Sequence, residues 1–166
     1  MGTTSANHRR LRTSASIVGL LLAVALTGCS PEVLGTAGLT RGPDGNLAAL
    51  VVACEGHITQ VFVNTGSRTG VEQTPKWTGD VAAPAAQVVE FGVRVDELPA
   101  TARLSLYGGG TYDGFWSDKG QLWGQGPVPV QLLQNLEPDE VADWDTARHE
   151  YVAVTRDVFI KESGGC

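Results

Sequence analysis

The chain has 166 residues, 42% of them hydrophobic and 18% charged, with 21 Gly and 3 Cys. That length suits one domain and is too short for a two-lobed solute-binding protein or an α/β barrel enzyme of roughly 250 residues. The formal net charge of −6 argues against nucleic acid as a partner, because phosphate binding needs clustered Lys and Arg. The charge is unevenly spread. Residues 1–28 hold Arg9, Arg10 and Arg12 and no acid, so residues 29–166 carry 9 basic against 18 acidic side chains.

Residues 1–16 are polar and basic, and Ile17–Leu26 is an apolar run. Ten apolar residues fall short of the roughly 20 that a membrane-spanning helix needs. Behind a basic segment they read as the apolar part of an export signal. Leu26-Thr27-Gly28-Cys29 resembles the lipobox of bacterial lipoproteins, in which an aliphatic residue and two small ones precede a cysteine. The resemblance implies a diacylglyceryl group on the Cys29 thiol and cleavage between Gly28 and Cys29. It also implies a place on the cell membrane, held by lipid and facing outside the cytoplasm. Two acyl chains suffice for stable anchoring. The flanks of Arg9-Arg10 match the twin-arginine pattern poorly, so general secretion is the expected route. The expected organisation is a signal at 1–28, a lipidated tether at 29–37 and one domain at 38–166.

Cys54 and Cys166 remain after Cys29 is assigned to lipid. Export puts them where disulfides persist, so a Cys54–Cys166 bridge is the expectation, with a buried Cys54 thiol as the alternative. Neither lies in a spacing that suits a metal, and no metal or cofactor is expected.

Along the domain, Gly42-Pro43-Asp44-Gly45 is a turn, and Leu47–Cys54 is an apolar run that suits a buried strand. His57–Asn64 has the β-branched and aromatic content of a strand, and Thr74–Thr78 a short edge strand. In Gln87–Val95 the apolar Val89, Phe91, Val93 and Val95 alternate with polar residues, as they do around Leu104 and Leu106. Gly108–Gly126 is either a loop or two strands around a long turn. Val128–Leu136 starts as a strand and ends as a helical turn. Val141–Trp144 and Tyr151–Thr155 pair as a hairpin, and Thr155 caps a helix from Arg156 to Glu162. These elements predict a mainly β fold, an immunoglobulin-like antiparallel β-sandwich with one or two short helices near the C-terminus. A partly open barrel is the alternative. The bias to Ala, Gly, Val and Arg and the stretch Leu136–Val141 before a terminal Cys are similar to small lipoproteins of high-GC Gram-positive bacteria. That likeness implies no activity.

The chemistry is sparse. His57 beside Glu55, or His149 beside Glu150, would make an acid–base pair, but a solvated turn position explains each as well. Ser67 lacks the glycine two residues earlier that a nucleophile elbow requires. No catalytic residue is assigned, and a secreted hydrolase is the third-ranked reading. Glu137, Asp139, Glu140, Asp143, Asp145 and Glu150 form either a solvated acidic face or a weak calcium loop. The aromatic residues Tyr107, Tyr112, Phe115, Trp116 and Trp123 are interleaved with Gly and Asp. Some are needed for the core, while Tyr112, Trp116 and Trp123 are the candidate platform for a ligand. The first expectation is therefore a non-enzymatic binding module of the envelope, with an envelope protein as partner; the alternative is a carbohydrate or small-ligand module.

Overall fold

The computed structural model describes residues 33–64, 75–111 and 119–162. The fold is mainly β, with ten strands in one mixed sheet. The strands are β1 (Val33–Arg41), β2 (Asn46–Ala53), β3 (His57–Asn64), β4 (Lys76–Ala82) and β5 (Ala85–Arg94). They continue as β6 (Arg103–Thr111), β7 (Lys119–Trp123), β8 (Val128–Pro129), β9 (Glu140–Asp145) and β10 (Glu150–Thr155). Two short helices, α1 (Val130–Asn135) and α2 (Arg156–Glu162), and a 3₁₀ turn at Val95–Glu97 complete it.

Pairing runs β5-β2-β1-β7-β6-β3-β4, and the connection at Ala83-Pro84 joins β4 to β5. The sheet thus curls into a nearly closed barrel, the arrangement given above as the alternative. One pair departs from the antiparallel expectation: β1 runs parallel to β7, with Val33 opposite Gln121 and Thr36 opposite Trp123. The expected tether also ends early. Residues 33–37 are strand, and Leu34 and Ala37 are fully buried. Small residues hid this strand, because its burial comes from β2 and β7 and not from its own side chains.

The interior is filled. Leu34, Leu39, Val51, Ile58, Val61, Val63, Leu104 and Leu106 are all buried in one cluster. Val130 and Leu133 of α1 join that cluster, so the helix plugs the end of the barrel at which β1 finishes. There the Arg41 guanidinium donates to the Gln134 carbonyl at 3.1 Å and to Asp96 at 3.1 and 3.2 Å. Gln134 Nε2 in turn donates to the carbonyls of Val95 and Leu98.

A second cluster covers the outside of β2, where Phe159 of α2 packs with Leu50, Val52 and Val141. Gly38 makes this possible. A Cβ there would collide with Val141 and stand 2.8 Å from the Phe159 ring. Val158 N–H donates to Thr155 Oγ1 at 3.4 Å, the cap expected of that threonine.

The upper edge of β1 divides between two partners. Its first residues pair with β7, and Thr40 pairs with Val141 of β9. Gln125 fills the fork: its Oε1 accepts from Leu39 N–H at 3.1 Å, and its Nε2 donates to the Ala142 carbonyl at 2.6 Å. The Thr40 hydroxyl, fully buried, donates to the Glu140 carbonyl beside it.

Candidate functional site

The glycine-rich stretch resolves into the second of its two expected forms, strands flanking a connection. Gly108–Thr111 ends β6 and pairs with Lys119–Leu122 of β7. Glycine is required at 110, where a Cβ would overlap the His57 carbonyl on β3. Tyr112 and Trp116, together with Phe115, lie outside the described residues, as do Gly28, Cys29 and Cys166. Trp123 is described, and it is 70% exposed.

Trp123 has company that the local sequence did not announce. Phe62 of β3 is in register with Tyr107 of β6, and their rings stack at 5.7 Å and 22°. Gly108 faces Leu122, so Tyr107 and Trp123 occupy the next step of the same pair. Leu106 and Leu122 point into the barrel while Tyr107, 47% exposed, and Trp123 point out. The result is an outward aromatic row, Phe62–Tyr107–Trp123, across three neighbouring strands. Val33 extends it: with Gln121, Leu122, Trp123 and Gly124 it lines a shallow groove of ≈ 330 Å³.

The face around the row is distinctive in charge. Strands β3, β6 and β7 contain no Asp or Glu, in a chain that has 18. Residues 120–136 carry no charge of either sign. Lys76, exposed on β4, stands opposite Phe62, and Arg103 begins β6. The acids nearest along the chain, Asp113 and Asp118, belong to the connection between β6 and β7.

The other expected sites resolve into turns and clasps. His57 Nδ1–H donates to Asp80 Oδ1 on β4 at 2.7 Å, so its acid partner is Asp80 and not Glu55. Their side chains are 32% and 60% exposed, which leaves the pair open to water. His149 holds a left-handed turn position, φ 56°, and its N–H donates to the Asp145 carbonyl at 2.9 Å. In the acidic stretch, Asp145 Oδ1 accepts from the N–H groups of Ala147 and Arg148, and Glu140 Oε2 from that of Glu137. Among the described residues no group of three or more His, Cys, Asp or Glu side chains is placed to hold a metal ion.

A second concavity, ≈ 240 Å³, is lined by Arg41, Arg94, the 42–45 turn, Leu136 and Pro138. Its two arginines both pair with Asp96, at 3.1 and 3.4 Å, so it works as a clasp on the plugged end. Tyr151 packs edge-on to Trp144 at 5.0 Å, and burial pushes its hydroxyl pKa up, partly offset by a hydrogen bond with the Gly126 backbone. Trp77 packs against the barrel core. Cys54 follows β2, half-buried, and its N–H donates to the Leu34 carbonyl at 2.8 Å.

No family model, curated protein or solved structure matches this chain. The functional reading therefore rests on its own residues and geometry.

Proposed function

We propose that this chain is a lipid-anchored protein of the cell envelope whose barrel is a non-enzymatic binding module. The observation that carries the reading is the outward Phe62–Tyr107–Trp123 row on strands without a carboxylate. An exposed ring has no reason in stability to be there, because burial and not exposure rewards aromatic area. The tightly filled interior supports the same reading, since aliphatic side chains take the space that a barrel would otherwise offer a small ligand. The anchor is Cys29 in its lipobox, and it places the domain on the membrane, outside the cytoplasm.

A Cys54–Cys166 bridge belongs to this proposal. Phe159 of α2 sits on Leu50 and Val52, and Cys54 continues their side of β2. Three residues separate Glu162 from Cys166, four Cα steps with a reach of up to about 14 Å. The bridge would fasten the C-terminus over the strand that α2 covers.

Two measurements test the reading. Cys29→Ala releases the chain from membranes and abolishes labelling by palmitate; retention on membranes without label would sink the anchor. A photo-cross-linker at position 121, beside Trp123, captures an envelope component in intact cells, and the same probe at position 150 on the β9–β10 hairpin does not. Equal capture at both positions removes the aromatic row from the proposal. The second reading, a carbohydrate module, is favoured by the exposed rings of Tyr107 and Trp123, which suit the faces of sugars. It predicts that soluble envelope glycan shifts Trp123 emission.

A further inference from the structure

We infer that the aromatic face of β3, β6 and β7 lies on the membrane that holds the anchor, with Trp123, Tyr107 and Val33 seated in its interfacial layer. The inference rests on the anchored reading of Cys29 and names the occupant of the aromatic face.

Chain length makes the contact hard to avoid. Only Ser30, Pro31 and Glu32 separate Cys29 from Val33. Four Cα steps span at most about 15 Å whatever their conformation. Val33 opens β1, is 46% exposed, and shares its groove with Trp123. Thr36, the residue opposite Trp123, is three positions further along β1, about 10 Å. A barrel held on so short a leash rests against the bilayer on some side, and the side nearest the leash is that of β1 and β7.

The chemistry of that side fits the occupant. Trp and Tyr settle at the headgroup level of a bilayer, where an apolar ring meets a wet edge. Val33, Gln121, Leu122, Trp123 and Gly124 include no charge, so the groove can enter the interface without desolvating an ion. Lys76 and Arg103 flank the row and can meet anionic headgroups; β3, β6 and β7 carry no carboxylate, and the one on β4, Asp80, is paired with His57. The acids Glu140, Asp143, Asp145 and Glu150 are set apart on the β9–β10 hairpin. A net charge of −9 over residues 29–166 would by itself repel an anionic surface; placing four of the 18 acids on the hairpin lessens that repulsion, to which Glu32, next to Val33 in the chain, still adds.

The test uses the mature, acylated chain in vesicles of phosphatidylcholine mixed with phosphatidylglycerol, some carrying bromine on the acyl chain near the headgroup. One protein keeps Trp123 alone (Trp77→Phe, Trp116→Phe, Trp144→Phe); a second keeps Trp144 alone. Trp123 is expected to lose about half of its emission to the brominated lipid, as a ring held at that depth does. Trp144 is expected to keep its emission and to answer to aqueous acrylamide instead. If replacing Trp77 weakens the fold, the difference between the unmodified chain and Trp123→Phe reads the same quantity. Gln121→Glu should weaken seating about fivefold, one charge at a membrane surface, whereas Asp143→Asn should leave it unchanged. An acylated chain that floats with the vesicles while Trp123 ignores brominated lipid overturns the inference and leaves the anchor standing, with the face open to a glycan or a protein. A chain that carries no acyl mass and does not float overturns the anchor as well.

Discussion

Two parts of the barrel display aromatic rings to solvent, and they do so to different ends. On the β9–β10 hairpin, Trp144 and Tyr151 are direct cross-strand neighbours, packed edge to face, with the Tyr151 hydroxyl engaged by the Gly126 backbone. The two strands of that hairpin carry four carboxylates. On β3, β6 and β7 the rings of Phe62 and Tyr107 stack, Trp123 stands more exposed than either Trp144 or Tyr107, and the strands carry no carboxylate. An exposed ring therefore means little by count. Its neighbours decide whether it completes a local pair or presents a surface.

The contrast is best broken from the hairpin side. Phe159→Ala empties the contact that holds α2 and β9 on β2, and should cost about 3–5 kcal/mol in urea denaturation. Trp123 emission below the transition should be unchanged, because the aromatic face is built on other strands. Gln125→Leu strikes the fork between the two regions. It strips partners from Leu39 N–H and the Ala142 carbonyl, and about 2–4 kcal/mol should disappear from the same measurement. Thr155→Ala removes only the cap of α2, worth about 0.5–1 kcal/mol.

The alkaline limb of stability sharpens the comparison further. The Tyr151 pKa is raised in the folded chain, so above pH 10 the unfolded chain loses its proton first and stability falls. Tyr151→Phe should flatten that fall in a pH series of denaturation midpoints and leave the slope below pH 10 unchanged. The smallest expected effect on stability is that of Trp123→Ser, within about 0.5 kcal/mol. A larger loss in thermal unfolding would turn Trp123 from a presented surface into a structural residue.

Much of the hairpin side was legible along the chain. The apolar run of β2, the pairing of β9 with β10 and the Thr155 cap are local patterns, and local patterns survive into the fold. The aromatic face was legible only in part. Trp123 stood out by composition, but Phe62 lies 61 positions away and joins through strand register alone. The missing carboxylates become a face only once β3, β6 and β7 are known to be neighbours. Glycine hid two strands, β1 at 35–38 and β6 at 108–110, because residues chosen for close approach carry no pattern of their own. The same cause moved the tether boundary.

The strand that opens the barrel is completed by the part of the chain that comes last. β1 finds β2 at once, but its other edge waits for residues 121–123 and 141, some 80 to 100 positions later. Contacts so distant in sequence make for slow folding. A chain crossing a membrane from its N-terminus would show a bare strand edge until its final third arrives. The hazard is one of timing: truncation anywhere before β9 leaves that edge unfinished, and such products should aggregate instead of forming a smaller barrel.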